Sequence, residues 1–466
     1  MPLHPPHAAL ESIDRRGFLR IGGALGGLSL PALLRLRAAS ASSDTSAAFG
    51  RAKSCIVLFG WGGISHLDTL DLKPDAAAEI RGEFQPIDTS VPGIRIGQHL
   101  PLLARQMHHL AVVRSAHHGS PAHGKGMYWN MTGHAPPQES EARNQRPSRQ
   151  DWPSLGSMVS RCRPAVASVP SFVQLPYPFV DNNTLQAGEN AGWLGLAHDP
   201  VIVRTPQGTA FGGVSRDLGA PVLTWADGVT RERLAARSVL AGSLGNAIDD
   251  SAELRNHGHF RELALQMLLD SQVARAFELD REPAAVHDLY GPHIAGQSAL
   301  LARRLSEAGV PLVNVICAAG DLNGAAGDHF DTHGDNFNRL RQTMLPTLDR
   351  AAGALIADLA DRGQLDETLV VILTEFGRTP RINSAAGRDH YPFCYSVALA
   401  GGGIDGGQVY GSSDKIGAFP ASLPCTPADL HATIFTALGI SPDVRVLDAL
   451  DRERPLCDGR VLPLFA

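Results

Sequence analysis

A chain of 466 residues, 44% hydrophobic and 19% charged, has the make-up of a globular protein with a sizeable core and excludes an intrinsically disordered one. Lys plus Arg number 41 against 47 Asp plus Glu, a net charge of −6, and no segment outside the extreme N-terminus concentrates positive charge, so nucleic acid is not the expected partner. No run of about 18 apolar residues follows residue 50, which predicts no membrane-spanning helix in the mature chain.

The N-terminus reads as an export signal over residues 1–41. Arg15-Arg16 and Phe18-Leu19 precede a Gly- and Ala-rich, mildly apolar stretch from Ile21 to Leu34, followed by the small-residue patch Ala38-Ala39-Ser40-Ala41. The arginine pair followed by a weakly apolar segment is similar to a twin-arginine signal, so the twin-arginine translocase is the expected partner during export and the destination is periplasmic or otherwise extracytoplasmic. Residues 50–466 are then expected to form a single domain.

Ser54–Phe59 is a short continuous apolar run ending in Gly60-Trp61-Gly62-Gly63, the form of a buried strand entering a glycine loop. A helix over Leu100–Met107 and a strand over Leu110–Val113 follow, the strand opening into a His-rich polar loop. Residues 135–153 read as an exposed loop, and residues 165–245, without sustained period, as a loop-rich insertion. Glu253–Phe277 and Gly296–Ala308 carry apolar residues at helical intervals. Leu312–Ile316 is a strand, and Leu345–Arg362 a helix with Leu348, Ala352, Leu355, Ile356 and Leu359 along one face. Thr368–Leu373 is a second fully buried strand, Ser396–Ala400 a further one, and Pro427–Leu438 a closing helix. Helices alternating with strands predict an α/β fold with a largely parallel central sheet and helices on both faces. The six cysteines show no C-x-x-C spacing; Cys394, Cys425 and Cys457 could supply a disulfide, with buried thiols the alternative.

In such sheets the polar site lies at the carboxyl ends of the strands. After the first strand stand His66 and Asp68; after the second, His117, His118, Ser120 and His123; after the strand at 312–316, His329, Asp331 and His333; after that at 368–373, Glu375 and Arg378, with Asp389-His390 in the next loop. Imidazoles and carboxylates gathered at four strand ends have the composition of a divalent-metal site. Asp331-Thr-His333 could alternatively be a turn and N-cap before a helix at Phe337.

Leu355–Gly377 resembles the helix, strand and ligand segment of sulfatases and alkaline phosphatases, and Met127–Gly133 resembles the helix ending in Thr-Gly that follows their nucleophile. More closely, the chain resembles the exported bacterial family called domain of unknown function 1501, of the alkaline phosphatase-like superfamily. The resemblance rests on Gly62-Gly63, Leu67–Pro74, Thr132-Gly133, Ala191–Gly195, Leu301–Leu305, Asp331-Thr-His333, Thr374–Pro380 and Asp389-His390-Tyr391. It implies an alkaline phosphatase-like fold and an exported, metal-dependent hydrolase of phosphate or sulfate esters, with an anionic ester or a sulfated or phosphorylated polysaccharide as substrate. Asp331, His333, Glu375 and His390 would hold a divalent ion such as Zn, Mn or Ca, with His66 and Asp68 at a second position. His123 or Ser120 would face the reacting centre, and Arg378 would neutralise the ester. The chain departs from the hydrolase pattern where Gly60-Trp61 replaces an aspartate, where Glu375-Phe376 replaces Asp-His, and where the Cys/Ser-x-Pro-x-Arg motif is absent. A catalytically silent binding or assembly protein on the same fold is the alternative.

Overall fold

The first strand, β1 (Ser54–Phe59), is buried at every residue, and so are β5 (Leu312–Ile316) and β6 (Thr368–Leu373). Strands without a polar face need cover on both sides, which is why they lie side by side at the centre of a sheet. The remaining members are β2 (Leu110–Ala116), β3 (Phe172–Leu175), β4 (Val201–Ile202), β9 (Tyr395–Ala400) and β10 (Gln408–Tyr410). In this computed structural model they form one eight-stranded sheet in the order β10-β2-β9-β6-β1-β5-β3-β4. The pairs from β6 through β1, β5 and β3 to β4 are parallel, as is β2 with β10, whereas β9 runs against both β6 and β2. The sheet is therefore largely parallel, as expected, with one antiparallel strand that the apolar pattern of 396–400 does not reveal. A small antiparallel ribbon, β7 (Gly377–Arg378) with β8 (His390–Tyr391), projects beyond the end of β6.

The structure describes residues 49–136, 146–165, 168–181, 184–203, 271–318, 329–448 and 450–465, with isolated positions between 230 and 240. The export signal, much of the insertion at 165–245 and most of the helix expected at 253–277 lie outside the described residues. Among the described residues no helix is long and apolar enough to cross a membrane.

Helices α1 (Pro101–Arg105), α2 (His123–Thr132), α3 (Leu155–Cys162), α4 (Ile294–Glu307), α5 (Leu345–Asp361) and α6 (Pro427–Ala437) accompany the sheet. On α5 the expected stripe Leu348, Ala352, Leu355, Ile356 and Leu359 is buried and packs on α4, which in turn covers β1 and β5. A Thr426/Asp429 capping box starts α6, and Gly133 in the left-handed region ends α2. The helix expected over 100–107 is shorter, passing into a tight 3₁₀ turn at Met107–His109 before β2. All six cysteines are unpaired, so Cys394, Cys425 and Cys457 form no disulfide and the thiol reading is the one observed.

Candidate metal centre

The carboxyl ends of β1, β2, β5 and β6 bring their following loops to one place. Leaving β1, the chain turns through Gly62 and Gly63, both at positive φ; a Cβ on Gly62 would lie 2.3 Å from the Asp331 nitrogen, and one on Gly63 would lie 2.7 Å from the Phe376 ring. Only glycine lets this turn press so closely on the loops from β5 and β6. Thr374, at the exit of β6, ties them together by donating to the Gly60 carbonyl (2.8 Å) and accepting from the Ile64 amide (2.9 Å).

Asp331 is the hub. Its Oδ1 lies 2.6 Å from Arg378 Nη2, 3.0 Å from His390 Nε2 and 3.1 Å from His333 Nε2, while Oδ2 lies 3.3 Å from His123 Nε2. The two imidazole nitrogens of His333 and His390 also face each other at 2.9 Å. Ligand atoms of His123, Asp331 and His390 all fall within 4.8 Å of one another.

The outer nitrogens decide what the inner ones present. His123 Nδ1 is 2.7 Å from Glu375 Oε1, His333 Nδ1 is 2.7 Å from Asp389 Oδ1, and His390 Nδ1 is 2.7 Å from the Pro121 carbonyl. Each partner is an oxygen that only accepts, so each Nδ1 carries the proton and each Nε2 turns its lone pair inward in the neutral ring. An imidazole fixed by a carboxylate or carbonyl at one nitrogen is the usual arrangement of a metal-ligating histidine. His123 Nε2 is buried without a hydrogen-bond partner, its approach to Asp331 being out of hydrogen-bond geometry. Three imidazole nitrogens and one carboxylate, the carboxylate also paired with Arg378, thus converge, and in donor chemistry they fit a divalent ion.

Electrostatics agree. Burial works to lower the basicity of His123, but Asp331 and Glu375 outweigh it and raise the group to about 9. Burial likewise opposes the Asp331 charge, yet His123, His333, His390 and Arg378 hold its carboxyl far below the usual carboxylate range. His333 is raised, chiefly by Asp331, whereas burial lowers His390. In the metal-free protein protons stand where a cation would.

Glu375 does not reach the hub. Fully buried, it accepts from the Gly62 amide (2.7 Å) and His123 (2.7 Å), with Thr374 Oγ1 at 3.2 Å, so its role is to hold His123 and the glycine turn. Arg378, expected to meet an anionic ester, is also fully buried and donates to Gly62 O, to Gly63 O (3.1 Å), to Arg388 O (3.0 Å) and to Asp331. Its donors are turned inward.

Among the described residues, His66 and Asp68 do not belong to the ligand cluster around Asp331. They sit in a 3₁₀ turn, where His66 Nε2 bonds the Gly417 carbonyl at 2.8 Å. Asp68, wholly buried, meets Arg388 Nε at 2.9 Å, Ser65 Oγ at 2.6 Å and Asn336 Nδ2 at 3.1 Å. Its Oδ2 thus accepts from an arginine, a hydroxyl and an amide, which ties Asp68 into the fold. Ser120 is not at the hub either: its hydroxyl faces the Ala122 amide at 3.4 Å, although the next residue, Pro121, holds His390. Asp331 and His333 do not cap a helix; Asp335, in the left-handed region, precedes the helical turn that starts at Asn336.

Two groups escaped the sequence reading. Trp61 stacks flat on His123, ring centroids 4.9 Å apart at 8°, and meets His329 edge-on at 4.8 Å. Asp181, in a hairpin of the insertion, feels the His123, Asp331 and Glu375 charges. The Gly-Trp-Gly-Gly run was a usable signal for the first; the aperiodic insertion offered none for the second.

Solved structures match over most of the chain at low identity. A phosphonate monoester hydrolase from Silicibacter pomeroyi is 15% identical, with 88% of this chain and 76% of that one covered and a TM-score of 0.38. The lipoteichoic acid synthase LtaP from Listeria monocytogenes is 8% identical, covering 91% and 78% at a TM-score of 0.36. A protein in the alkaline phosphatase superfamily from Vibrio parahaemolyticus is 12% identical, covering 84% and 67% at a TM-score of 0.36. Likenesses of this depth leave the activity to be argued from the site itself. No curated protein matches the sequence. Residues 52–464 match the family described as "Protein of unknown function (DUF1501)", and the chain belongs to that family.

Proposed function

We propose that the protein is an exported, metal-dependent hydrolase of an anionic phosphate or sulfate ester. The observation that carries this reading is the inward convergence of His123, Asp331 and His390, each histidine fixed at its outer nitrogen by an oxygen acceptor. Three protein ligands are the usual protein share of a catalytic metal site. The nitrogen-rich donor set suits Zn or Mn and argues against Ca, which takes six to eight oxygens. A bound divalent ion would polarise an ester oxygen and make water a nucleophile near neutral pH.

The chain's own residues do the rest. Glu375 keeps His123 Nε2 pointed inward, and Arg378 locks Asp331 to the Gly62-Gly63 turn. His333, with its side chain 42% exposed and its Nδ1 held by Asp389, sits at the solvent side, where its Nε2 can take up or release a proton. The twin-arginine reading of Arg15-Arg16 supports an extracytoplasmic place of action.

The second reading, a silent binding or assembly protein, is favoured by Arg378, expected to neutralise the ester, and Asp68, expected at a second metal position, both of them consumed internally. The test is to purify the protein without chelators, load it with Zn or Mn, and assay aryl phosphate, aryl sulfate and aryl phosphonate esters. Turnover of one class that vanishes with chelator supports the hydrolase. Stoichiometric metal with no turnover of any class supports the silent protein.

A further inference from the structure

The indole nitrogen of Trp61 is buried without a hydrogen-bond partner, and the residue is only 2% exposed. A buried N–H with nothing to accept it is costly, and such groups in native proteins call for an explanation. Its ring lies parallel to His123, 4.9 Å away, and His123 Nε2 is itself without a hydrogen-bond partner. Two stacked rings thus each present an unsatisfied nitrogen, one a lone pair suited to a cation and the other a donor suited to an oxygen. A tetrahedral oxyanion held by a cation at His123 would carry further oxygens, each able to accept from an N–H.

The other N–H donors described at the hub are engaged. Arg378 gives its N–H groups to Gly62, Gly63, Arg388 and Asp331, and the Gly62 amide gives its own to Glu375. The three imidazole Nδ1–H groups are spent on Glu375, Asp389 and Pro121. We propose that Trp61 Nε1–H is a ligand-binding donor of the metal centre, donating to an oxygen of the phosphate or sulfate group. This rests on the metal-centre reading above and deepens it, because it assigns an uncharged donor to the substrate's oxyanion where an arginine was expected. A neutral N–H recognises an oxygen by hydrogen bonding without adding charge to the centre.

Trp61→Phe keeps an aromatic ring against His123 but removes the donor together with part of the buried ring volume. The experiment measures three things on wild type and W61F: bound Zn or Mn per chain, melting temperature in chelator, and the dissociation constant of inorganic phosphate for the metal-loaded protein. We expect equal metal content and phosphate binding weakened about tenfold or more, with the melting temperature in chelator serving only to show that the variant is folded. In a nitrogen–proton correlation spectrum, the indole signal that disappears in W61F should move in the wild type on adding phosphate. Phosphate affinity within twofold of wild type, or a still indole signal, overturns the assignment alone. A wild-type protein that takes up no metal overturns the metal centre and this assignment together.

Discussion

Glu375→Gln perturbs the group that the geometry places behind His123. The carboxylate is wholly buried and accepts from the Gly62 amide and from His123 Nδ1, each at 2.7 Å, with Thr374 Oγ1 at 3.2 Å. Glutamine has the same shape: its oxygen can keep the first two bonds while its amide faces Thr374 Oγ1, so the fold should survive. What is lost is the charge. Bonds to a charged group contribute about 1.5–3 kcal/mol against about 0.5–1.5 for neutral ones, so two weakened bonds should cost about 1–3 kcal/mol in the metal-free state. The basicity of His123 should fall, since Glu375 is one of the two carboxylates that raise it. Metal affinity should drop roughly 10- to 100-fold, the usual effect of losing an outer-shell partner, without disappearing as it would for a ligand. Denaturant unfolding in chelator and metal titration read the two effects. Unchanged stability together with unchanged metal affinity would refute the orienting role, and total loss of metal with unchanged stability would make Glu375 a ligand after all.

Three further outcomes are expected. In chelator, the His123 network should stabilise the fold fully below about pH 6.5 and lose that contribution as pH rises through about 9, a change of about 3 kcal/mol visible in melting temperature. Because a metal must displace that proton, metal affinity should increase with pH, about tenfold per unit between pH 7 and pH 9, and a flat profile would contradict the raised His123. Asp68→Ala leaves the buried Arg388 unpaired and should cost about 3–5 kcal/mol in unfolding experiments while leaving bound metal per folded chain unchanged. Changing Arg15 and Arg16 to Lys should hold the precursor in the cytoplasm on fractionation, and normal export would remove the twin-arginine reading.

The central strands were legible because burial on both faces writes itself as an unbroken apolar run, as in Ser54–Phe59 and Thr368–Leu373. The stripe on α5 was legible for the same reason at a different period. The reversed direction of β9 was not, since direction leaves no mark on side-chain pattern. At the site, loops that follow strand ends named His123, Asp331, His333, Glu375, Arg378 and His390, and the structure does gather them. What spacing could not tell was rank within the cluster. Glu375 lies behind His123 because α2 begins at His123 and points its imidazole toward Asp331, while the Gly62 turn draws Glu375 to the far side of that ring. Asp68 looked free because its partner, Arg388, lies 320 residues away.

The central claim is that His123, Asp331 and His390 together bind a divalent cation. The most direct measurement is equilibrium titration of chelator-stripped protein with Zn and with Mn, for wild type and Asp331→Asn. The account predicts one tightly bound ion per wild-type chain and its loss in D331N, whose amide still fits the space between the imidazoles but brings no charge. Absence of binding in the wild type, or equal binding in D331N, would contradict it.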